Sequence, residues 1–368
     1  MTARRKTVRR TGSTAHRGAA RAGSKRAAAP RPSPAWARCS DEQLLDRRLD
    51  RLGLRIEGTP LQGCIAQLQR ELDRRRLAFR PHFWLSDEWF TPDGVPGAAI
   101  PFYLAHRRLA KLEKKMMLEV EGGTRRWCMQ LLRHETGHAI CNAYRLHRRR
   151  QWQQVFGNAS KPYPDSYQPK PGSRRFVLHL DYWYAQSHPA EDFAETFAVW
   201  LTPGSQWRER YEGWPALKKL QYVDELMHEI AGQRPPNRSR RRVQPLGALP
   251  TTLRDHYRRK RARYGREFPD FYVRDLRRLF AAGREHADQE TAAAFLRRVG
   301  PVLRTLVAQW TGQYEYTIDQ VLKEMIARSR EMGLRVRRPK GRTMLELAVL
   351  LTIQTMSFLQ RGHYQVAL

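Results

Sequence analysis

Two histidines four residues apart, with a glutamate directly after the first, are the residues of this chain best placed to do chemistry: His134-Glu135-Thr136-Gly137-His138. Residues i and i+4 of an α-helix are rotated by about 40° from one another, so both imidazoles would leave one face and could reach a single Zn²⁺ through nitrogen. Glu135 would stand beside that ion. Its carboxylate is placed to take a proton from a water whose pKa the metal lowers, and to pass it to a leaving amine. The competing reading is a helix with two surface histidines and a glutamate. Against it stand Trp127, Met129, Leu131, Leu132, Ala139, Ile140 and Ala143, which make the helix substantially apolar and bring the His-Glu-His group partly inside. Charges in such a setting need a partner or a metal.

A metal also needs a third protein ligand. The metzincin arrangement would place Gly and His three and six residues after His138, but Cys141 and Tyr144 stand there, and His147 falls off the ligand face. Another helix must supply the ligand. Downstream, Glu191-Asp192-Phe193-Ala194-Glu195-Thr196-Phe197-Ala198 puts Glu191 and Glu195 on one helical face, with Phe193, Phe197 and Trp200 left for packing. Asp192 points about 100° away and is expected to be structural. Either Glu191 or Glu195 could complete the site.

This pattern resembles the gluzincin metallopeptidases. Within them, the stretch Tyr182 to Trp200, with Ser187-His188-Pro189-Ala190-Glu191-Asp192-Phe193-Ala194-Glu195-Thr196, is similar to a bacterial family of zinc-binding metallopeptidases of uncharacterised substrate and to the catalytic domain of anthrax lethal factor. The resemblance covers about residues 80 to 230. It implies one Zn²⁺ per chain held by His134, His138 and Glu191, with Glu195 accepting a hydrogen bond from a ligating histidine and fixing its tautomer. It also implies that Tyr184, seven residues before Glu191, stabilises the oxyanion, with Tyr182 and His188 as alternatives and aromatic packing as the plain reading of all three. Gluzincins align a peptide antiparallel to an edge strand, and Ala98, Ala99, Ile100, Pro101 and Phe102 would be that strand.

The elements that must position these groups follow from capping, periodicity and turn chemistry. Ser40-Asp-Glu-Gln reads as a helix start before Leu44, Leu45, Leu49 and Leu52. A second helix is expected from Leu61 to about Arg76, then an extended segment with Phe83, Trp84 and Leu85, and a turn at Thr91-Pro92-Asp93-Gly94. Gly97 to Leu104 reads as an edge strand because Pro101 cannot donate to a central ladder. The motif helix is expected over about 124–146, the acid-bearing helix over about 189–201 and another over about 215–230. The expected fold class is α+β: a zincin-like, mostly helical catalytic domain with a small sheet at 40–231, a basic Pro-rich linker at 232–250, and an all-α C-terminal domain at 251–368. In the latter, Phe295, Val299, Val302, Leu306 and Trp310, and then Ile318, Leu322, Met325 and Ile326, recur at helical spacing.

The chain has 368 residues, room for about two domains, and a formal charge of +32 from 68 Lys and Arg against 36 Asp and Glu. Only 12 of those cations are Lys, an arginine skew that a GC-rich genome could produce by itself. Residues 1–39 carry eleven Lys and Arg and no acid, and are expected to form a disordered basic tail. That tail could be an arm for DNA, RNA or an anionic membrane, or a solubilising extension. A second functional class therefore stands beside the first: a nucleic-acid-binding protein that uses tail and linker, with a secondary zincin domain. Cys39, Cys64, Cys128 and Cys141 show no CxxC spacing and are expected to be free thiols. The N-terminus has no apolar h-region, and Met344 to Leu359 contains Glu346 and Gln354 and reads as a buried helix rather than a membrane span. These features lead to the expectation of a cytoplasmic protein without a transmembrane segment, acting on peptide or protein.

Overall fold

Thr124 accepts a hydrogen bond from the Trp127 N–H and starts the helix that carries His134, and Arg145, in a left-handed conformation, ends it. In the computed structural model of the chain, residues 34–368 are described, except 165, 168, 169, 171, 265–271, 284, 285, 287, 359–365 and 368. The first of two units is Met1–Arg38. The basic-tail reading of residues 1–33 lies outside the described residues, and at its end Ala35–Arg38 forms a 3-10 turn rather than irregular chain.

The second unit is Cys39–Leu368. Its helices are α1 (Asp41–Leu45), α2 (Pro60–Arg74), α3 (Arg107–Met117), α4 (Arg125–Tyr144), α5 (Arg150–Phe156), α6 (Pro189–Leu201), α7 (Trp207–Arg210), α8 (Ala216–Glu229), α9 (Leu253–Tyr264), α10 (Tyr272–Leu279), α11 (Ala292–Thr311), α12 (Glu315–Glu331) and α13 (Lys340–Phe358). Ser40 and Gln43 cap α1 reciprocally, as the Ser-Asp-Glu-Gln pattern requires. Strands β1 (His82–Ser86) and β2 (Gly97–Pro101) pair in parallel, with Trp84 opposite Ala99. A short antiparallel pair joins β3 (Ser166–Tyr167) to β4 (Val366–Ala367). Among the described residues the unit is thus mostly helical with little sheet, as the composition of the motifs led one to expect.

Helices α4 and α6 pack closely against each other. Every residue of α6 from Glu191 to Leu201 is buried, and so is most of α4. Phe193, Phe197 and Trp200 pack away from the acids, in an aromatic group that includes Trp152 and Phe156. Where the two helices touch, both side chains are small. A Cβ placed on Gly137 would lie 2.7 Å from the Ala194 Cα, closer than real side chains come. Gly137 therefore sacrifices helix propensity to let α6 reach the histidines. On propensity alone Gly137→Ala would stabilise α4 by about 1 kcal/mol. Overpacking against backbone should prevail, destabilising the fold by about 1–3 kcal/mol. A thermal melt checks the sign, and a raised midpoint would refute this account of the glycine.

The arginine-rich stretch 232–250 runs along β1 and the end of α4. The backbone carbonyls of Arg241, Val243 and Gln244 bond to the side chains of His82, Trp84 and Ser86. Asn237 donates to the Gly94 and Asn142 carbonyls, and Asn142 donates to those of Pro92 and Val95. These bonds clamp the Thr91–Gly94 turn against α4.

Helices α10 to α13 share a separate apolar cluster that includes Leu276, Phe295, Leu322 and Leu351. The expectation of a buried helix at 344–359 needs correction: Leu347 and Leu351 are buried, but Leu345, Val349 and Ile353 on α13 are more than half exposed. Leu359 lies outside the described residues. Among the described residues no helix is long and apolar enough to cross a membrane. None of the four cysteines is in a disulfide.

Candidate metal centre

His134 and His138 leave α4 toward α6, and Glu191 meets them from the first turn of α6. The His134 Nε2 lies 3.0 Å from the Glu191 Oε2, the His138 Nε2 lies 3.1 Å from the same oxygen, and the two imidazole nitrogens are 3.2 Å apart. One ligating atom from each residue falls within 4.8 Å of the others, so a single ion can be held by all three. Two nitrogens and one carboxylate oxygen, drawn in from solvent, are the donor set of a zinc site that keeps a further position open.

The supporting contacts fit the same group. Glu195 is fully buried, and its Oε1 accepts from the His134 Nδ1–H at 2.7 Å, which turns Nε2 of that ring toward the cluster, where a metal would take the place of its proton. The other oxygen of Glu195 accepts from the Leu180 N–H at 2.8 Å. Burial would depress the basicity of His134, but its hydrogen bonds to Glu191 and Glu195 and their charges drive its pKa well above the ordinary histidine value. Burial works in the opposite sense on Glu191, whose carboxyl is held well below its usual range by the adjoining imidazoles. The cluster thus favours positive charge between its members, as a cation site must.

Glu135 lies on the same face, with its Oε2 accepting from the Thr91 hydroxyl at 2.7 Å. Tyr184 comes from the 3-10 segment Asp181–Gln186 and lines the cleft, its ring centroid 5.6 Å from that of His134. Burial, and then the Glu191 and Glu135 carboxylates, push its phenol well up, so it remains a hydrogen-bond donor. His188 is occupied elsewhere: it caps α6, with Nδ1 accepting from the Ala190 N–H and Nε2 donating to the Lys161 carbonyl. The side chain of Tyr182 lies outside the described residues. Asp192 pairs with Lys219 at 2.6 Å, the structural role expected of it.

The expected substrate strand is not brought to this cluster. Ala98, Ala99, Ile100 and Phe102 are wholly inaccessible, Pro101 is buried, and Phe102 already belongs to a 3-10 turn. β1 takes one edge of β2, and on the other the Phe90 carbonyl accepts from the Ala99 N–H at 2.8 Å. The nearby segment that lines the cleft instead is Glu88 to Thr91.

Two residues that sequence reasoning passed over join the site. Thr91 was visible only as part of a turn. Tyr163 sits in Lys-Pro-Tyr-Pro-Asp, a stretch with no periodicity; its hydroxyl donates to the Glu191 Oε1 at 2.7 Å while its ring stacks on His188 at 3.9 Å. Glu191 is therefore held through the oxygen that does not face the histidines. The cleft around all these groups has a volume of about 1280 Å³.

Residues 112–205 match the model of a family described as "Putative zinc-binding metallo-peptidase", a span that contains both α4 and α6. No curated protein and no solved structure matches the chain.

Proposed function

We propose that the chain is a zinc-dependent metallopeptidase in which His134, His138 and Glu191 hold one Zn²⁺ and Glu135 is the general base. The observation that carries this reading is the convergence of the three ligating atoms within 4.8 Å, in a cleft that also contains Glu135. Zinc bound there would supply Lewis acidity, polarising a peptide carbonyl and making water more acidic. Glu135 takes the proton of the attacking water and delivers it to the leaving amine. Thr91 holds the carboxylate of Glu135 in one rotamer through its hydroxyl. Tyr184, kept protonated, donates to the oxygen that gains charge as the carbonyl carbon becomes tetrahedral. Glu195 sets the tautomer of His134.

The test is metal content by plasma mass spectrometry on untagged protein purified without chelators, followed by a peptide-library digest. About one zinc per chain and cleavage that stops on chelation and returns with zinc are expected; zinc without cleavage of any peptide would leave only a structural metal. Thr91→Val should lower kcat/KM about tenfold to a hundredfold with zinc unchanged, the worth of a hydrogen bond to a charged group. Unaltered kinetics in that variant would show that Glu135 needs no such support.

A further inference from the structure

Outside the cluster itself, the cleft is lined at one end by Glu88 and Arg263, which pair at 3.1 Å and cancel. The opposite end is different. There Arg145 and Arg148, just beyond α4, and Lys161, beside the first turn of α6, line the cleft with exposed side chains, and no described carboxylate stands within ion-pair distance of any of them. Apart from Glu88, Glu135 and Glu191, Asp93 is the one acid among the described residues that line the cleft.

Arg145 is also in the left-handed region, at φ 54°, where a helix usually ends in glycine. Glycine would adopt that conformation without strain, yet an arginine is placed there at the mouth of the site. Lys161 is fixed by its own backbone, since its carbonyl accepts from the capping residue His188. The partial positive charge of the α6 N-terminus, with Ala190 in the cleft wall, adds to the same field. Three cations on two separate segments, with Asp93 the one further acid among the described lining residues outside the cluster, Glu135 and the Glu88–Arg263 pair, make a basic subsite where the end of α4 meets the start of α6.

We infer that this cleft selects peptides bearing an acidic side chain on the side of the scissile bond that lies over Arg145, Arg148 and Lys161. The inference rests on the peptidase reading for the direction of the bound chain, and its test is binding rather than turnover. Full-length, zinc-loaded Glu135→Gln protein is titrated with short labelled peptides that carry Glu, Gln or Lys at each position in turn. At positions on one side of the centre, Glu should bind about five- to tenfold more tightly than Gln, with Lys weakest, and the preference should shrink as salt rises. Arg145→Glu, Arg148→Glu and Lys161→Glu should each reduce or invert that order. Arg277→Glu, an equal charge change on α10 away from the cleft, should leave it intact.

Equal affinity for the Glu, Gln and Lys peptides, or an effect of Arg277→Glu as large as that of Arg148→Glu, would overturn the inference, as would no peptide binding at all. Peptides bound with the acidic preference but not cut by wild-type protein would support the subsite and overturn the peptidase reading.

Discussion

Glu135→Gln is expected to lower peptide hydrolysis by a factor on the order of 10²–10⁴ while leaving about one zinc in each chain. The amide is nearly the shape of the carboxylate. Its oxygen can still accept from the Thr91 hydroxyl, which donates at 2.7 Å in the wild type, so position and packing should survive. Basicity does not: an amide cannot take a proton from water near neutral pH. Neither Glu135 oxygen is among the atoms that converge for the ion, so the metal content should be untouched. Paired measurement of kcat and zinc per chain decides the matter. Retention of more than about a tenth of the wild-type rate would mean that some other group moves the proton. Loss of zinc would mean that Glu135 is structural.

Glu191→Ala should remove stoichiometric zinc altogether, whereas Glu195→Gln should weaken zinc binding by about 10- to 100-fold, the usual cost of losing a partner behind a ligand. The two carboxylates sit one turn apart on α6 and both meet His134, but by different nitrogens. Glu191 faces Nε2 at 3.0 Å and shares that oxygen with His138, while Glu195 takes the proton on Nδ1 at 2.7 Å and reaches no other histidine. Removing Glu191 deletes a donor from the three that converge. Replacing Glu195 leaves all three and only loosens the orientation of one ring. Circular dichroism on both variants separates metal loss from unfolding, since each change touches a buried charge. The reverse ranking, with Glu195→Gln stripped of zinc and Glu191→Ala retaining it, would exchange the two roles.

Much of this site was legible in the chain because it depends on periodicity within single helices. The spacing of His134, Glu135 and His138 specifies which groups share a face of α4, and that of Glu191 and Glu195 does the same on α6, whatever surrounds them. Helix ends were legible for a related reason. Ser40, Thr124 and Pro189 act on backbone groups within a few residues, so the starts of α1, α4 and α6 fall where capping chemistry puts them.

What local spacing cannot carry is the distance between helices. Gly137 reads in the sequence as a weak point of α4, and becomes intelligible only when Ala194 is found against it. The supposed substrate strand was misplaced for the same reason: apolar and aromatic content and a proline mark Ala98 to Phe102 as an edge strand, but its second edge is taken by Phe90, a residue the pattern does not connect to it. Thr91 and Tyr163 lie in segments without periodicity, 44 and 28 residues away in sequence from the carboxylates they bond. By itself, then, the sequence determined the chemical identity of the cluster and the helix face on which each member stands, because those follow from bond geometry within one element. The tertiary structure decided which carboxylate meets which nitrogen, what holds Glu135, and where the cleft is basic, because those are distances between elements set by packing across the whole core.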